Sequence, residues 1–510
     1  DFSIECHDFL DYNILPKDFP KMTSVGMLKG MPPGIKKVDL VQKVIDYIKI
    51  FTKILRNGCS EISHFEQVIK NFIDDVYKPN LKQEVRCPEY TVGGFVQTEG
   101  ERMFYNPTFI PFLFWKQLDG LFNEFCGVGD HELYRPCAIG MQFFHGGAMH
   151  LISQLFKVPL STFAATTTNI EATMLFHNMH NEYMIIEMDF SKYDLTILPQ
   201  VMEIIMVMVL KKMNVMEIDP EKLDFTKNVD RRVMINRTII CRLLEVLINK
   251  VFPSPVSNKA LQVLGKMPSG HFLTTKLNSL VNYVCQLTVF ISIFGTQIID
   301  EAVIIVFGDD VIMTLPRKYE KGFHKQQISD KFQDLFNLRV KTTEIKVHER
   351  FYAKEEEEYA GSTKSLTFLK YQVAVRVHPY NGVQMAFVRN TVQTLPKTFV
   401  SVDKLLTPNL IKTRIYSAVL ASGPNRTSYD ALSRAWELVK NYDYDMDHKD
   451  FNALVKESKF DIRFLPTFDE IVELYYADLY RPDNKCIMGW HDYRRSREHG
   501  FDPSDMTWVQ

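Results

Sequence analysis

Residues 302–315, AVIIVFGDDVIMTL, set two carboxylates, Asp309 and Asp310, between two of the most apolar runs in the chain. An ionised carboxylate is costly to bury, so such a stretch is either a surface turn or a site that holds a cation. The runs VIIVF and VIMTL on either side of the acids read as two strands joined through Gly308. They predict a β-hairpin whose tip carries both acids on a rigid base. By itself the tripeptide GDD also describes a solvent-exposed turn.

A second acidic stretch gives the first more weight. In IIEMDFSKYDLT, residues 185–196, Asp189 follows a short apolar run and Asp194 comes five residues later. The runs 184–188 and 303–307 read as central strands with acids at their ends. If they are neighbours, Asp189 and Asp309 converge. Magnesium takes hard oxygen donors and keeps waters and substrate phosphates, so two strand-end carboxylates suit a two-metal phosphoryl-transfer site. A third stretch, GKMPSGHFLTTKLNSLVN at 265–282, reads as a loop through Pro268, Ser269 and Gly270 running into a helix. That helix carries Thr274 and Asn278 at i and i+4, one polar stripe on an apolar surface. The same pair also describes a hydrogen bond inside a core.

The rest of the chain sets bounds. At 510 residues it exceeds one ordinary core, and a prior of roughly 150 residues per domain gives about three lobes. Hydrophobic residues at 46% and charged residues at 24% exclude extended disorder and fibrous classes. With 60 Lys+Arg against 62 Asp+Glu, only a local basic groove is available for nucleic acid. Eight scattered cysteines form no CxxC pair and no zinc spacing, and read as reduced intracellular thiols. No charged and then apolar leader follows Asp1, so no signal peptide is expected. The apolar run 280–299 is interrupted by Asn282, Gln286, Ser292, Thr296 and Gln297, and reads as a buried core helix rather than a membrane span. Residues 24–36 read as a loop and 38–56 as an amphipathic helix. The run KEEEE at 354–358 reads as a solvated turn. From 376 onward helical patterns dominate, with Ser428 or Asn425 as the cap of a helix over 428–442.

Taken in order, these motifs resemble the viral RNA-dependent RNA polymerases of the picornavirus-like superfamily. Asp189 and Asp194 match that family's motif A, and Ser269, Gly270, Thr274 and Asn278 match motif B. Gly308, Asp309 and Asp310 match motif C, with Phe307 where Tyr is usual. TSVG, Thr23, Ser24 and Val25 to Gly26, followed by GIKKVD, resembles motif G, the template-guiding loop. KQEVR, Lys82 to Arg86, resembles the KDELR opening of motif F, and GER ending at Arg102 stands where the family has Lys-x-Arg. TTEIK ending at Lys346 resembles the motif D lysine region, and FLKY with Lys370 resembles the FLKR of motif E. CAIGMQFFHGGAMH at 137–150 resembles the stretch before motif A.

Two features depart from the family pattern. Gly100 stands in place of a basic residue of the nucleotide channel, with Glu101 beside it. Motif G also begins only 22 residues from the first residue, which leaves open whether part of the fingers is missing.

The resemblance implies an α+β right-hand polymerase. The expected division is fingers at 1–146 and 206–264, palm at 147–205 and 265–375 with an antiparallel sheet, and a mostly α thumb at 376–510. Asp189 and Asp309, assisted by Asp310, would hold two Mg²⁺ (or Mn²⁺) ions. Asp194, Ser269, Gly270, Thr274 and Asn278 would read the ribose 2′-hydroxyl, while Lys82, Arg86 and Arg102 would bind the triphosphate. Lys346 would act as general acid, with Lys341 as its rival, and Thr23, Ser24, Gly26 and Lys370 would contact template or primer. Implied partners are template and product RNA, NTPs, a genome-linked protein primer and other viral replicase proteins. The implied location is membrane-associated replication complexes in the host cytoplasm. Two other readings compete: an RNA-binding replicase scaffold without catalysis, and a reverse transcriptase, which the ribose-reading set argues against.

Overall fold

The structure is a computed structural model. It describes residues 49–55, 61–73, the backbone of 77–86 and 97–107, a few positions between 111 and 122, and 136–476 apart from short breaks, among them 254–258, 268–270 and 401–405, together with the backbone of 507–508. Thr23, Ser24, Gly26, Ser269 and Gly270, and most of the predicted helix 38–56, lie outside the described residues.

Among the described residues the chain mixes helices with antiparallel sheets. In chain order the strands are β1 (Tyr77–Arg86), β2 (Gln97–Pro107), β3 (Tyr183–Met188), β4 (Asn249–Pro253), β5 (Ala260–Leu264), β6 (Val303–Phe307), β7 (Asp310–Pro316), β8 (Ile345–His348), β9 (Tyr352–Ala353), β10 (Gln372–His378), β11 (Gly382–Val388) and β12 (Thr507–Trp508). The helices that matter below are α1 (Gly147–Phe156), α2 (Asn169–Glu182), α3 (Pro199–Lys212), α4 (Asn228–Ile248), α5 (Thr274–Phe294), α6 (Lys325–Phe336), α7 (Pro408–Ala421), α8 (Arg426–Val439) and α9 (Phe468–Tyr476).

The central sheet has the order β6-β7-β3-β8, and every pairing in it is antiparallel. The sequence reading made 184–188 and 303–307 the central strands. β3 is indeed an inner strand, between β7 and β8, whereas β6 is the outer strand of the ladder, separated from β3 by β7 and touched on its far side by the Cys137–Val306 bridge. Alternate residues enter two different cores. Met184, Ile186 and Met188 of β3, Ile304 and Val306 of β6, and Val311, Met313 and Leu315 of β7 pack with α4, α5 and α6. Ile185, Val303, Ile305 and Ile312 pack with α1, α2, α7 and the β10–β11 hairpin. Burial on both faces is why these strands read as unbroken apolar runs rather than as alternating ones.

Three expectations meet the structure directly. Asn425 caps α8, its side chain accepting from Ser428 N at 2.7 Å. The KEEEE run is a short turn with Glu355 and Glu356 exposed, as expected, but its last two acids are engaged. Glu357 pairs with Arg350 and accepts from Lys354 N, while Glu358 accepts from Arg426 N at 3.1 Å at the start of α8. The negative end of that run is spent on the N–H groups of a helix N-terminus, which local charge counting cannot foresee. Helices do dominate the C-terminal part, but the β10–β11 hairpin runs through the 375/376 division and α3 through the 205/206 division. Cys137, Cys241 and Cys285 are free thiols.

Candidate active site

The hairpin predicted from GDD is present. Phe307 pairs with Asp310, which leaves Gly308 and Asp309 as a two-residue loop. Gly308 has φ 64° while Asp309 keeps a negative φ, the glycine-first pattern that suits a tight hairpin. A Cβ at Gly308 would meet nothing within 4 Å, so the turn needs glycine for its conformation and not for space.

Sheet order brings the motif A strand to this tip. β3 pairs with β7 through Met188–Val311, and one further step in the same register sets Asp189 level with Asp310. Electrostatics record the crowding. Burial, then the charges of Asp309 and Glu344, push Asp189 up to about 6. Burial, then the charges of Asp309, Asp189 and Glu187, push Asp310 up to about 7, with Lys370 opposing. Like charges gathered in a partly desolvated pocket favour protonation unless a cation neutralises them. Among the described residues no group of three or more His, Cys, Asp or Glu side chains is placed so as to hold a metal ion by itself. Magnesium in phosphoryl transfer needs none, because one or two carboxylates, waters and substrate phosphates complete its shell. The donor set of Asp189, Asp309 and Asp310 therefore fits divalent, oxygen-seeking ions.

The second acid of motif A sits on the next turn of chain. Asn278 Nδ2 donates to Asp194 Oδ1 at 2.5 Å, and the buried Tyr193 hydroxyl donates to the Asn278 carbonyl at 3.0 Å. Asn278 Oδ1 is buried with no hydrogen-bond partner among the described residues. Thr274 opens α5 with its hydroxyl donating back to the His271 carbonyl at 2.6 Å.

Lys346 stands on β8 opposite Glu187 of β3, its Nζ 3.1 Å from Glu187 Oε1, and its charge reaches Asp189. His348 Nε2 lies 2.8 Å from the other Glu187 oxygen. Burial raises the Glu187 pKa, but the His348 hydrogen bond and the charges of Lys346 and His348 outweigh it and hold the carboxyl below its usual range. Glu187 thus lies one strand pleat from Asp189 and fixes Lys346 beside it. Sequence reasoning missed Glu187, although an acid inside MIIEM was the available signal.

Lys370 is at the tip of a second two-residue hairpin, Phe368–Tyr371, and is exposed. Its positive charge opposes the rise at Asp310. Lys82 and Arg102 are direct partners across the β1–β2 ladder, with Arg86 further along β1, and their side chains lie outside the described part.

A family model described as viral RNA-dependent RNA polymerase matches residues 142–406, more than half of the chain, and takes in Asp189, Asp194, Asn278, the Gly308–Asp309 tip, Lys346 and Lys370. The chain belongs to that family. It is an RNA-directed RNA polymerase, a nucleotidyltransferase whose family binds RNA and nucleoside triphosphates. No curated protein matches the chain.

Proposed function

We propose that this polymerase copies a viral RNA template by two-metal nucleotidyl transfer from NTPs to an RNA 3′-hydroxyl. The observation that carries the reading is the convergence of the β3 end on the β6–β7 tip, with the Asp194–Asn278 pair beside it. Asp189, Asp309 and Asp310 would hold two Mg²⁺ or Mn²⁺ ions. When bound, such ions lower the pKa of the primer hydroxyl and neutralise the triphosphate and departing pyrophosphate.

The chain's own residues supply the rest. Asp194 and Asn278 meet the ribose, and the unpartnered Asn278 Oδ1 is an acceptor that a 2′-hydroxyl would fill. Ser269, Gly270 and Thr274 belong to the same reader by their place in motif B. Lys346, held by Glu187, carries the proton that the pyrophosphate takes up. Lys370 steadies the primer backbone, Lys82, Arg86 and Arg102 grip the triphosphate, and Thr23, Ser24 and Gly26 guide the template.

The right-hand division we propose has fingers at 1–146 and 206–264, palm at 147–205 and 265–375, and thumb from 376. Element ends favour moving the divisions at 205 and 375 to 212 and 388. A genome-linked protein primer, other replicase proteins and a place at cytoplasmic replication membranes are read from family membership alone.

The test is incorporation of radiolabelled UMP on poly(A) with an oligo(U) primer in Mg²⁺ and in Mn²⁺, for the parent and Asp309→Ala. Activity confined to the parent supports the reading. RNA binding without incorporation in either protein would replace it with the scaffold reading.

A further inference from the structure

Helix α5 is the one described helix long and apolar enough to cross a membrane, yet Ser279, Asn282 and Gln286 lie fully buried along it. Polar side chains at i, i+3 and i+7 of such a helix are costly unless each has a partner. Two of them share one partner residue, Gly308. Gly308 N donates to Ser279 Oγ at 2.8 Å, and Asn282 Nδ2 donates to the Gly308 carbonyl at 2.9 Å. Ser279 Oγ donates its own proton to the Thr275 carbonyl at 2.7 Å, which leaves its lone pairs for Gly308. Gln286 Nε2 donates to Asn282 Oδ1 at 3.3 Å and sets the amide's orientation.

The geometry has a consequence for the metal acids. In a two-residue hairpin the loop peptides have no ladder partner, so both polar groups of Gly308 would otherwise be orphaned in the interior. Clamping the peptide on each side of Gly308 fixes the direction in which the chain enters Asp309. The clamp comes from the face of the sheet opposite to the one that carries Asp189, Asp310 and Glu187, so it does not compete with ligands for space. Asn278, the residue before Ser279, holds Asp194. One turn of one helix therefore grips both the metal tip and the ribose reader.

We propose that Ser279 and Asn282 are positioning residues for nucleotidyl transfer, fixing the Asp309 carboxylate relative to the Asp194–Asn278 pair. This rests on the function proposed above. Magnesium demands near-ideal geometry, so a tip released from its clamp loses turnover more than nucleotide affinity.

The full chain is compared with Ser279→Ala, Asn282→Ala, Ser279→Thr and, as a control for helix destabilisation, Val289→Ala at a buried site on the same helix. Three quantities are measured: kcat and KM for UTP in Mg²⁺, Mn²⁺ affinity by calorimetry, and thermal midpoint. Ser279→Ala and Asn282→Ala are expected to lose roughly tenfold or more in kcat, with KM within about twofold and weaker Mn²⁺ binding. Ser279→Thr keeps the hydroxyl and its helix bond, and recovers most of the loss. Val289→Ala lowers the thermal midpoint without that kcat loss. Clamp variants that track Val289→Ala at equal stability, with unchanged Mn²⁺ affinity, overturn the proposal. A parent that incorporates no UMP, or an equally active Asp309→Ala, sinks the functional reading instead, and the Mn²⁺ affinities still decide the clamp.

Discussion

Two hairpin tips of opposite charge interact electrostatically at the site, and they are held in opposite ways. The acidic tip, Gly308–Asp309, uses glycine where φ is positive and is gripped from outside by Ser279 and Asn282. The basic tip, Leu369–Lys370, has both residues at positive φ, 52° and 69°, and neither is glycine. It is closed by Phe368 N to Tyr371 O at 2.8 Å and Tyr371 N to Phe368 O at 2.9 Å. Its base is fastened by packing: Phe368 is buried, Tyr371 lies 4.8 Å from the Phe143 ring, and the Arg389 guanidinium lies 4.5 Å over Tyr371. A left-handed conformation costs a non-glycine residue about 1–2 kcal/mol. The acidic tip is thus relaxed and externally clamped, while the basic tip is strained and held by its flanks. Strain of that kind persists where the surroundings over-determine the backbone, and it fits a lysine held up to a primer.

The largest expected effect separates the tips by chemistry. Asp309→Ala should lower incorporation by about a thousandfold, since a metal contributes several kcal/mol of transition-state stabilisation. Lys370→Met should act differently, weakening primer-template binding roughly tenfold and lowering the slope of log affinity against log salt by about 0.7–0.9, as for one phosphate contact. Equal losses of kcat in both variants, with no change in salt slope, would break the division of labour.

Next comes the metal-free protein. In the folded chain Asp310 is pushed up to about 7 and Asp189 up to about 6, from 3.8, by burial and then by neighbouring acids. A folded pKa above the unfolded one means that the native state holds more protons between the two. The associated stability is complete below about pH 4 and is lost as pH rises to about 7. In EDTA the melting temperature should therefore fall across that window. Excess Mg²⁺ should restore it at about pH 8 and do little at about pH 5, where the carboxylates are protonated. Asp309→Asn should flatten the slope in EDTA. A flat profile in the parent would mean that the acidic tip is not crowded.

Legibility in the sequence follows the same contrast. The acidic tip was legible because glycine, acids and flanking apolar strands are all local signals. The convergence of Asp189 with the tip was legible in outline, but the neighbour of β3 is β7 rather than β6, because strand order is a non-local property. Ser279, Asn282 and Gln286 were visible only as polar breaks in an apolar helix, and nothing within the helix names Gly308 as their partner. Glu187 was hidden inside a strand buried on both faces. The basic tip carried no turn signal, since Leu-Lys is not a pair that positive φ selects. There the family resemblance supplied what propensity withheld.

The smallest effect isolates backbone strain. Lys370→Gly and Lys370→Met remove the same charge from an exposed position and differ mainly in what the backbone prefers. Glycine recovers about 1–2 kcal/mol of left-handed strain but costs about 0.5–1 kcal/mol in unfolded-chain freedom, so Lys370→Gly should be more stable by roughly 0.5–1 kcal/mol. Gly308→Ala runs the exchange backwards. Its new Cβ meets nothing within 4 Å, so the same two terms should leave it less stable by roughly the same amount. Denaturant midpoints for the three variants and the parent read both differences. If Lys370→Gly gains nothing over Lys370→Met while Gly308→Ala loses, the basic tip is relaxed and the comparison fails on that side. Opposite signs of similar size would show two tips of the same length, one needing glycine and one lacking it, with the lysine kept at a measurable cost in stability.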